Sequence, residues 1–170
     1  MTRTRFASAV LAALCLGLSP AISGELPSPE DDIVLRVTGQ ITQTNANGAA
    51  EFDMAMLQGM PVEKIETTTT WTEGVQTFTG VPLAALLEAV GASGSAVKAT
   101  AVNDYAVEIP SEDWEKGGPI IAYLHNGSTM SLRGKGPLWI IYPFDSDPAF
   151  QSELIYARSI WQLDRIEVLK

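Results

Sequence analysis

The stretch that most constrains how this chain folds is residues 126–143, NGSTMSLRGKGPLWIIYP. Asn126-Gly127 is a turn signal, because both residues tolerate positive φ. Residues 138–142 are apolar throughout and predict a buried strand that ends at Pro143. The basic, glycine-rich loop between them, residues 133–137, is either a receptor for a small, partly anionic, planar ligand or a plain connection. Spacing alone favours the plain connection.

Short apolar and β-branched segments, each bounded by turn residues, recur along the rest of the chain and predict strands and brief helices. Strands are expected at residues 33–38, 66–71, 97–102, 105–109, 119–124 and 160–169. Helices are expected at residues 51–57 and 83–90, with shorter helical turns after Ser111 and at residues 150–155. Since no βαβ alternation joins these elements, the predicted fold class is α+β.

The first 23 residues have the pattern of a signal peptide. Arg3 and Arg5 precede an apolar stretch, residues 6–18, that is too short to span a bilayer, and cleavage is expected after Ser23. No later stretch approaches the roughly 20 apolar residues of a membrane helix. The sequence therefore predicts an exported, periplasmic or secreted protein that is not inserted in the membrane.

Removal of this segment leaves a strongly acidic chain. The sequence has 11 Lys+Arg and 20 Asp+Glu, and two arginines leave with the first 23 residues, so the net charge becomes 9 − 20 = −11. Binding to nucleic acid is not expected from such a chain. The only cysteine, Cys15, leaves too, so no thiolate remains. The expected layout is a mobile, proline-rich lead-in at residues 24–32 and one domain at residues 33–170.

The common catalytic constellations are not found in this sequence. His125 is the only histidine, and no nucleophile-elbow motif surrounds a serine, so neither a histidine-based metal site nor a Ser-His-Asp triad is expected. Asp145 and Asp147 lack the further spaced oxygen ligands of a calcium loop. No catalytic residue and no metal ligand is therefore predicted.

Four segments, taken together and in order, point to a known family. They are TTTTWTEGVQTFTGVPLAALLEAVG at 67–91, NDYAVEIP at 103–110, NGSTMSLRGKGPLW at 126–139 and SIWQLDRIEVL at 159–169. This set resembles the molybdopterin-binding domain of sulfite-oxidase-type oxidoreductases and covers nearly all of residues 33–170. The resemblance implies a mixed, mostly antiparallel β structure with short helices, which holds a planar pterin whose dithiolene carries molybdenum.

The departures from the family pattern bear on the cofactor. The family's molybdenum-ligating cysteine corresponds to a position near Thr68, and threonine cannot supply a soft thiolate. Two cationic positions of the family correspond roughly to Trp139 and Trp161, whose indoles offer flat faces for stacking. The resemblance thus implies a pterin or molybdopterin-like ligand and leaves molybdenum doubtful.

The matching segments supply the expected cofactor-binding residues. These are Thr68, Thr69, Trp71, Asn103, Tyr105, Arg133, Lys135, Gly136, Trp139, Arg158 and Trp161. Arg133, Lys135 and Arg158 are expected as anion contacts. The alternatives are that Trp139 and Trp161 belong to the core, and that the other positions are ordinary strand and turn residues.

The resemblance implies a specific function. Some cysteine-less, stand-alone exported relatives of the family are pterin-responsive partners of membrane sensors that control cyclic-di-GMP. The first hypothesis is accordingly an exported, non-catalytic pterin-binding protein that signals its ligand state to the periplasmic domain of a membrane sensor. The alternatives are a molybdopterin-dependent oxidoreductase that uses another metal ligand, and a ligand-free scaffold of the same fold.

Overall fold

The computed structural model describes residues 26–115 and 117–170, so the expected signal peptide lies outside the described residues. Within them, ten strands form two five-stranded sheets, joined by three short α-helices. The strands are β1 (Leu35–Gly39), β2 (Ala50–Phe52), β3 (Glu63–Thr67), β4 (Gln76–Pro82), β5 (Ala96–Ala101), β6 (Ala106–Pro110), β7 (Ile120–His125), β8 (Ser128–Thr129), β9 (Trp139–Ile141) and β10 (Leu163–Leu169). The helices are α1 (Met54–Gln58), α2 (Leu83–Ala89) and α3 (Glu153–Arg158), with 3₁₀ turns at Ser111–Asp113, Leu132–Gly134 and Pro148–Phe150.

The first sheet has the strand order β2-β1-β10-β5-β6. β1 and β10 run parallel, with Val37 opposite Ile166, and the other neighbours in this sheet are antiparallel. Leu35 and Val37 are fully buried while Arg36 between them is exposed, because successive side chains of a strand point to opposite faces. One face of this sheet therefore packs on the core.

The second sheet has the order β3-β4-β7-β8, and β9 also pairs with β7. Asn126 and Gly127, with φ of 50° and 77°, join β7 to β8 in the tight hairpin that the turn signal predicted. All residues of β9 are buried, as expected for the apolar run at residues 138–142. The predicted α+β class with mainly antiparallel sheets is confirmed.

The segment between α3 and β10 connects the two sheets. Trp161 forms an isolated antiparallel bridge with Trp139 of β9, and the Ile140 N–H donates to the Ile160 carbonyl at 2.9 Å. On the other side, the N–H of Val102, just after β5, donates to the Gln162 carbonyl at 3.0 Å. Residues 160–162 are thereby held between the two sheets.

Several predicted elements differ from the structure. The strand expected at residues 160–169 begins only at Leu163, and the helical turn expected at residues 150–155 is replaced by the 3₁₀ turn Pro148–Phe150 and α3. The helix expected at residues 51–57 begins only at Met54, because Ala50–Phe52 pairs with β1 and Asp53 caps the helix by accepting the Met56 N–H at 2.8 Å. The strand expected at residues 66–71 is wrong beyond Thr67, since the chain leaves β4 there and forms a loop.

The lead-in from Leu26 to Asp32 has no regular secondary structure but is bound to the domain. Asp53 Oδ2 accepts the N–H of Glu30 at 2.8 Å and that of Asp31 at 3.2 Å. The hydrogen bond from Met56 and these two bonds lower the pKa of Asp53. In residues 26–115 and 117–170, no helix is long and apolar enough to cross a membrane.

Candidate functional site

A cleft of about 620 Å³ opens where the loop after β3, the β5–β6 turn and the segment from α3 to Trp161 meet. This volume lies within the range of small-molecule sites, roughly 300–1,000 Å³. The lining residues are Thr70, Trp71, Ala101, Asn103, Tyr105, Glu153, Tyr156, Ala157, Ser159, Ile160 and Trp161. Aromatic side chains, small apolar residues and a few polar groups therefore share this surface.

Trp71 is the centre of an aromatic cluster at the cleft. Its ring lies edge-on to Trp139, Trp161 and Tyr156, with centroid distances of 5.6, 5.8 and 6.0 Å. Phe144 makes a similar contact at 6.1 Å. Edge-to-face pairs are worth about 0.5–1.5 kcal/mol each beyond the area they bury. These contacts fix the orientation of the indole that lines the cleft.

The loop that carries Trp71 is held by side-chain hydrogen bonds. The Trp71 N–H donates to Thr69 Oγ1 at 3.1 Å, and that oxygen also lies 2.7 Å from Thr72 Oγ1. Thr68 donates to Asp145 from its N–H, at 2.6 Å, and from its hydroxyl, at 2.7 Å. Those bonds from Thr68 lower the pKa of Asp145. Thr68 and Thr69 thus position the loop and do not line the cleft.

The side chain of Lys135, which does not line the cleft, contacts the ring of Trp161. The Lys135 Nζ lies over the Trp161 ring, 4.0 Å from its centroid, and 5.5 Å from that of Trp139. The Lys135 carbonyl accepts the Gln162 N–H at 3.0 Å, and Trp139 Nε1 donates to the Ser159 carbonyl at 3.1 Å. Trp161 is 37% exposed, whereas Trp139 is 1% exposed and lies beneath the cleft.

The turn between β5 and β6 supplies a second wall. Asn103 Oδ1 accepts the Tyr105 N–H at 3.1 Å, and Asp104 between them has a φ of 65°. This side-chain-to-backbone bond stabilises the turn. Asn103 and Tyr105 both line the cleft.

Arg158 is directed to a different part of the molecule. Its Nη1 lies 3.0 Å from Asp113 Oδ2, which also accepts the Tyr142 hydroxyl at 2.7 Å. Burial, and then the hydrogen bond to Asp113, raise the pKa of Tyr142. This network anchors the end of α3, so Arg158 acts on the cleft wall through the helix.

The remaining expected residues lie in the loop before β9. Arg133 is exposed in a 3₁₀ turn and does not line the cleft. Gly136 packs against backbone, because a Cβ at this position would stand 2.0 Å from the Met130 carbonyl oxygen. The glycine-rich loop therefore carries Lys135 and supports the cleft from outside.

The cleft brings together Trp71, Asn103, Tyr105 and Trp161 of the expected set. Sequence reasoning missed Glu153 and Tyr156. Their spacing of three residues places them on one face of a helix, which is the signal that could have found them.

No family model and no curated protein matches the chain. The crystal structure of the sulfane dehydrogenase SoxCD from Paracoccus pantotrophus is similar, with a TM-score of 0.59 and 17% sequence identity. The fold is sulfite-oxidase-like. The match covers 79% of this chain but only 37% of that one, so the likeness concerns the fold and not the activity.

The lining residues determine which parts of a molybdopterin-type cofactor fit. They offer indole and phenol rings for a flat heterocycle, together with hydroxyl, amide and carboxylate groups. They include no cysteine, and among the described residues no group of three or more His, Cys, Asp and Glu could hold a metal ion. The donor set therefore fits a pterin ring and contains no thiolate that could bind molybdenum.

Proposed function

We propose that this protein binds a pterin in the aromatic cleft, catalyses no reaction, and passes its ligand state to a membrane partner. The observation that carries the proposal is the arrangement of Trp71, Tyr156 and Trp161 around a cleft of ligand size. Stacking of a nucleobase on an aromatic side chain is worth about 1–3 kcal/mol, and a pterin offers a comparable flat face. The leading segment would place this protein in the periplasm.

Exposed large hydrophobic residues lie at the cleft or next to it in the chain, and we infer that they form an apolar rim on which a partner docks: Tyr105 and Trp161 line the cleft, and Val102 and Leu154 adjoin the lining residues Asn103 and Glu153. Exposed large hydrophobic residues here are Val102, Tyr105, Leu132, Leu154 and Trp161. Gln162 connects two of them, since its carbonyl accepts the Val102 N–H and its Nε2 donates to the Leu132 carbonyl at 2.7 Å. Exposed apolar patches mark interaction surfaces, and the inferred rim would be such a patch. A protein docked on this rim would contact the open side of a bound pterin.

The partner we propose is the periplasmic domain of a membrane sensor, in particular a sensor that makes or degrades cyclic-di-GMP. Pterin binding would then be read through direct contact at the rim. Such a protein needs no catalytic residue of its own, because the sensor would carry out the enzymatic reaction.

Tryptophan fluorescence provides a direct test of ligand binding. Neopterin should quench the emission of the purified protein saturably, with one site per chain. The periplasmic domain of a sensor encoded beside this chain should bind with a Kd that changes when neopterin is added. No saturable quenching by neopterin, in oxidised or dihydro form, would contradict the proposal.

A second candidate is a molybdopterin-dependent oxidoreductase, favoured by the structural similarity to a sulfane dehydrogenase. It would require a metal ligand other than cysteine. Stoichiometric molybdenum in protein purified from its native host would support it over the signalling module.

A further inference from the structure

We propose that the carboxylate of Glu153 selects ligands that present two N–H donors on one edge, as the 2-amino group and adjacent ring N–H of a pterin do. This inference rests on the proposed function and adds a residue that determines specificity. The chemical feature that the cleft would recognise is an amidine-like edge on a flat heterocycle.

Glu153 is placed at the cleft by the start of α3. Ser152 caps this helix, with its Oγ accepting the Ile155 N–H at 3.4 Å. One turn later Tyr156 follows on the same face, and both side chains line the cleft. The carboxylate is therefore attached to an ordered helix turn, beside an aromatic ring on which a heterocycle could stack.

The charge of Glu153 is not committed elsewhere. Of the described residues that line the cleft, it is the only one with a charged side chain. Among the ion pairs of residues 26–115 and 117–170, none includes Glu153, and Arg158 of the same helix pairs with Asp113 instead. Lys135 lies over the Trp161 ring.

Two other polar groups of the cleft, on Asn103 and Ser159, already have partners. Asn103 Oδ1 accepts the Tyr105 N–H, and the Ser159 hydroxyl donates to the Ile155 carbonyl at 2.9 Å. Glu153 is thus the strongest acceptor left for a ligand. An ionised carboxylate only accepts hydrogen bonds, and its two oxygens match two parallel N–H groups.

The chemistry predicts discrimination between two closely related heterocycles. Pterin carries an amino group at ring position 2, where lumazine carries a carbonyl oxygen. With lumazine, one carboxylate oxygen would face another acceptor and lose its hydrogen bond. Sites built around such a bond reject analogues that lack the donor.

The test compares the Kd values of pterin and lumazine, measured by fluorescence quenching, for the wild-type protein and Glu153→Gln. The wild type should prefer pterin by about tenfold or more, the ratio that one hydrogen bond to a charged group supplies. Glu153→Gln should weaken pterin binding by a similar factor and leave lumazine binding equal or stronger, because the new amide can donate to the carbonyl. Glu88→Gln, an exposed glutamate of α2 outside the cleft, is the matched control and should change neither Kd.

The outcomes separate the two proposals. Pterin binding with no preference over lumazine, or an unchanged preference in Glu153→Gln, would overturn the role of Glu153 and leave the pterin-binding function standing. If the wild-type protein binds neither compound, both proposals fail. Since Glu153 is exposed, the variant should melt at the wild-type temperature, and a thermal scan checks this.

Discussion

Trp139 and Trp161 lie opposite each other across one bridge, yet they belong to different regions of the molecule. Trp139 is 1% exposed, its indole N–H donates to the Ser159 carbonyl, and it packs edge-on against Phe78 at 5.4 Å. Trp161 is 37% exposed, lines the cleft and carries Lys135 over its ring. The family resemblance treated both indoles as replacements for cations. The structure assigns one to the core and the other to the cleft.

The largest effect is expected from Trp139→Ala. Truncation of a fully buried tryptophan costs about 3–5 kcal/mol, because it leaves a cavity under Trp71. Urea unfolding should show this loss in the free energy of unfolding. A loss below about 1 kcal/mol, with pterin binding abolished, would mean that Trp139 contacts the ligand.

Trp161→Ala should separate binding from stability. We expect a loss of about 1–2 kcal/mol in stability, since the ring is partly exposed and gives up one cation–π contact and its edge contacts. Pterin affinity should fall about tenfold or more through the lost stacking. Wild-type affinity for pterin in this variant would remove Trp161 from the site.

Lys135→Met tests whether this cation supports Trp161 or contacts the ligand. The substitution keeps an unbranched apolar side chain over the indole and removes the ammonium. Stability should fall by about 0.5–1 kcal/mol, the value of an exposed cation–π contact. The Kd for neopterin should stay within about threefold of wild type. A much larger loss of affinity would instead identify Lys135 as an anion contact.

The smallest effect concerns acid pH and the loop that carries Trp71. The pKa of Asp145 is lowered in the folded protein by the bonds from Thr68, so ionised Asp145 stabilises the loop above its ordinary pKa of 3.8. This stabilisation is lost as the pH falls through the lowered value. The free energy of unfolding, measured in urea, should therefore fall as the pH drops below about 4, and Asp145→Asn should flatten part of that fall. Asp147→Asn, two residues after Asp145 in the chain, is the control; an equal flattening there would contradict the role of Asp145.

The sequence predicted elements whose signals are local. The Asn126-Gly127 hairpin and the buried β9 follow from turn chemistry and an unbroken apolar run. The loop that bears Trp71 was missed because consecutive threonines favour a strand, and the contact that overrides this preference comes from Asp145, 77 residues away.

Some residues of the cleft could be predicted from the sequence and others could not. Trp71 and Trp161 stand out by residue type, whereas Glu153 lines the cleft only because α3 packs beside the β5–β6 turn. Arg158 has the charge of an anion contact, but Asp113, 45 residues away, pairs with it. Partners distant in sequence decide such roles, and no local pattern records them.

The most direct measurement is the small-molecule and metal content of the protein purified from its native host. Small molecules would be released by denaturation and analysed for pterin fluorescence and mass, with molybdenum assayed in the same sample. About one pterin per chain without molybdenum is the expected result. Molybdenum in stoichiometric amount with molybdopterin would contradict a non-catalytic pterin module and favour the oxidoreductase, and the absence of both would favour a ligand-free scaffold.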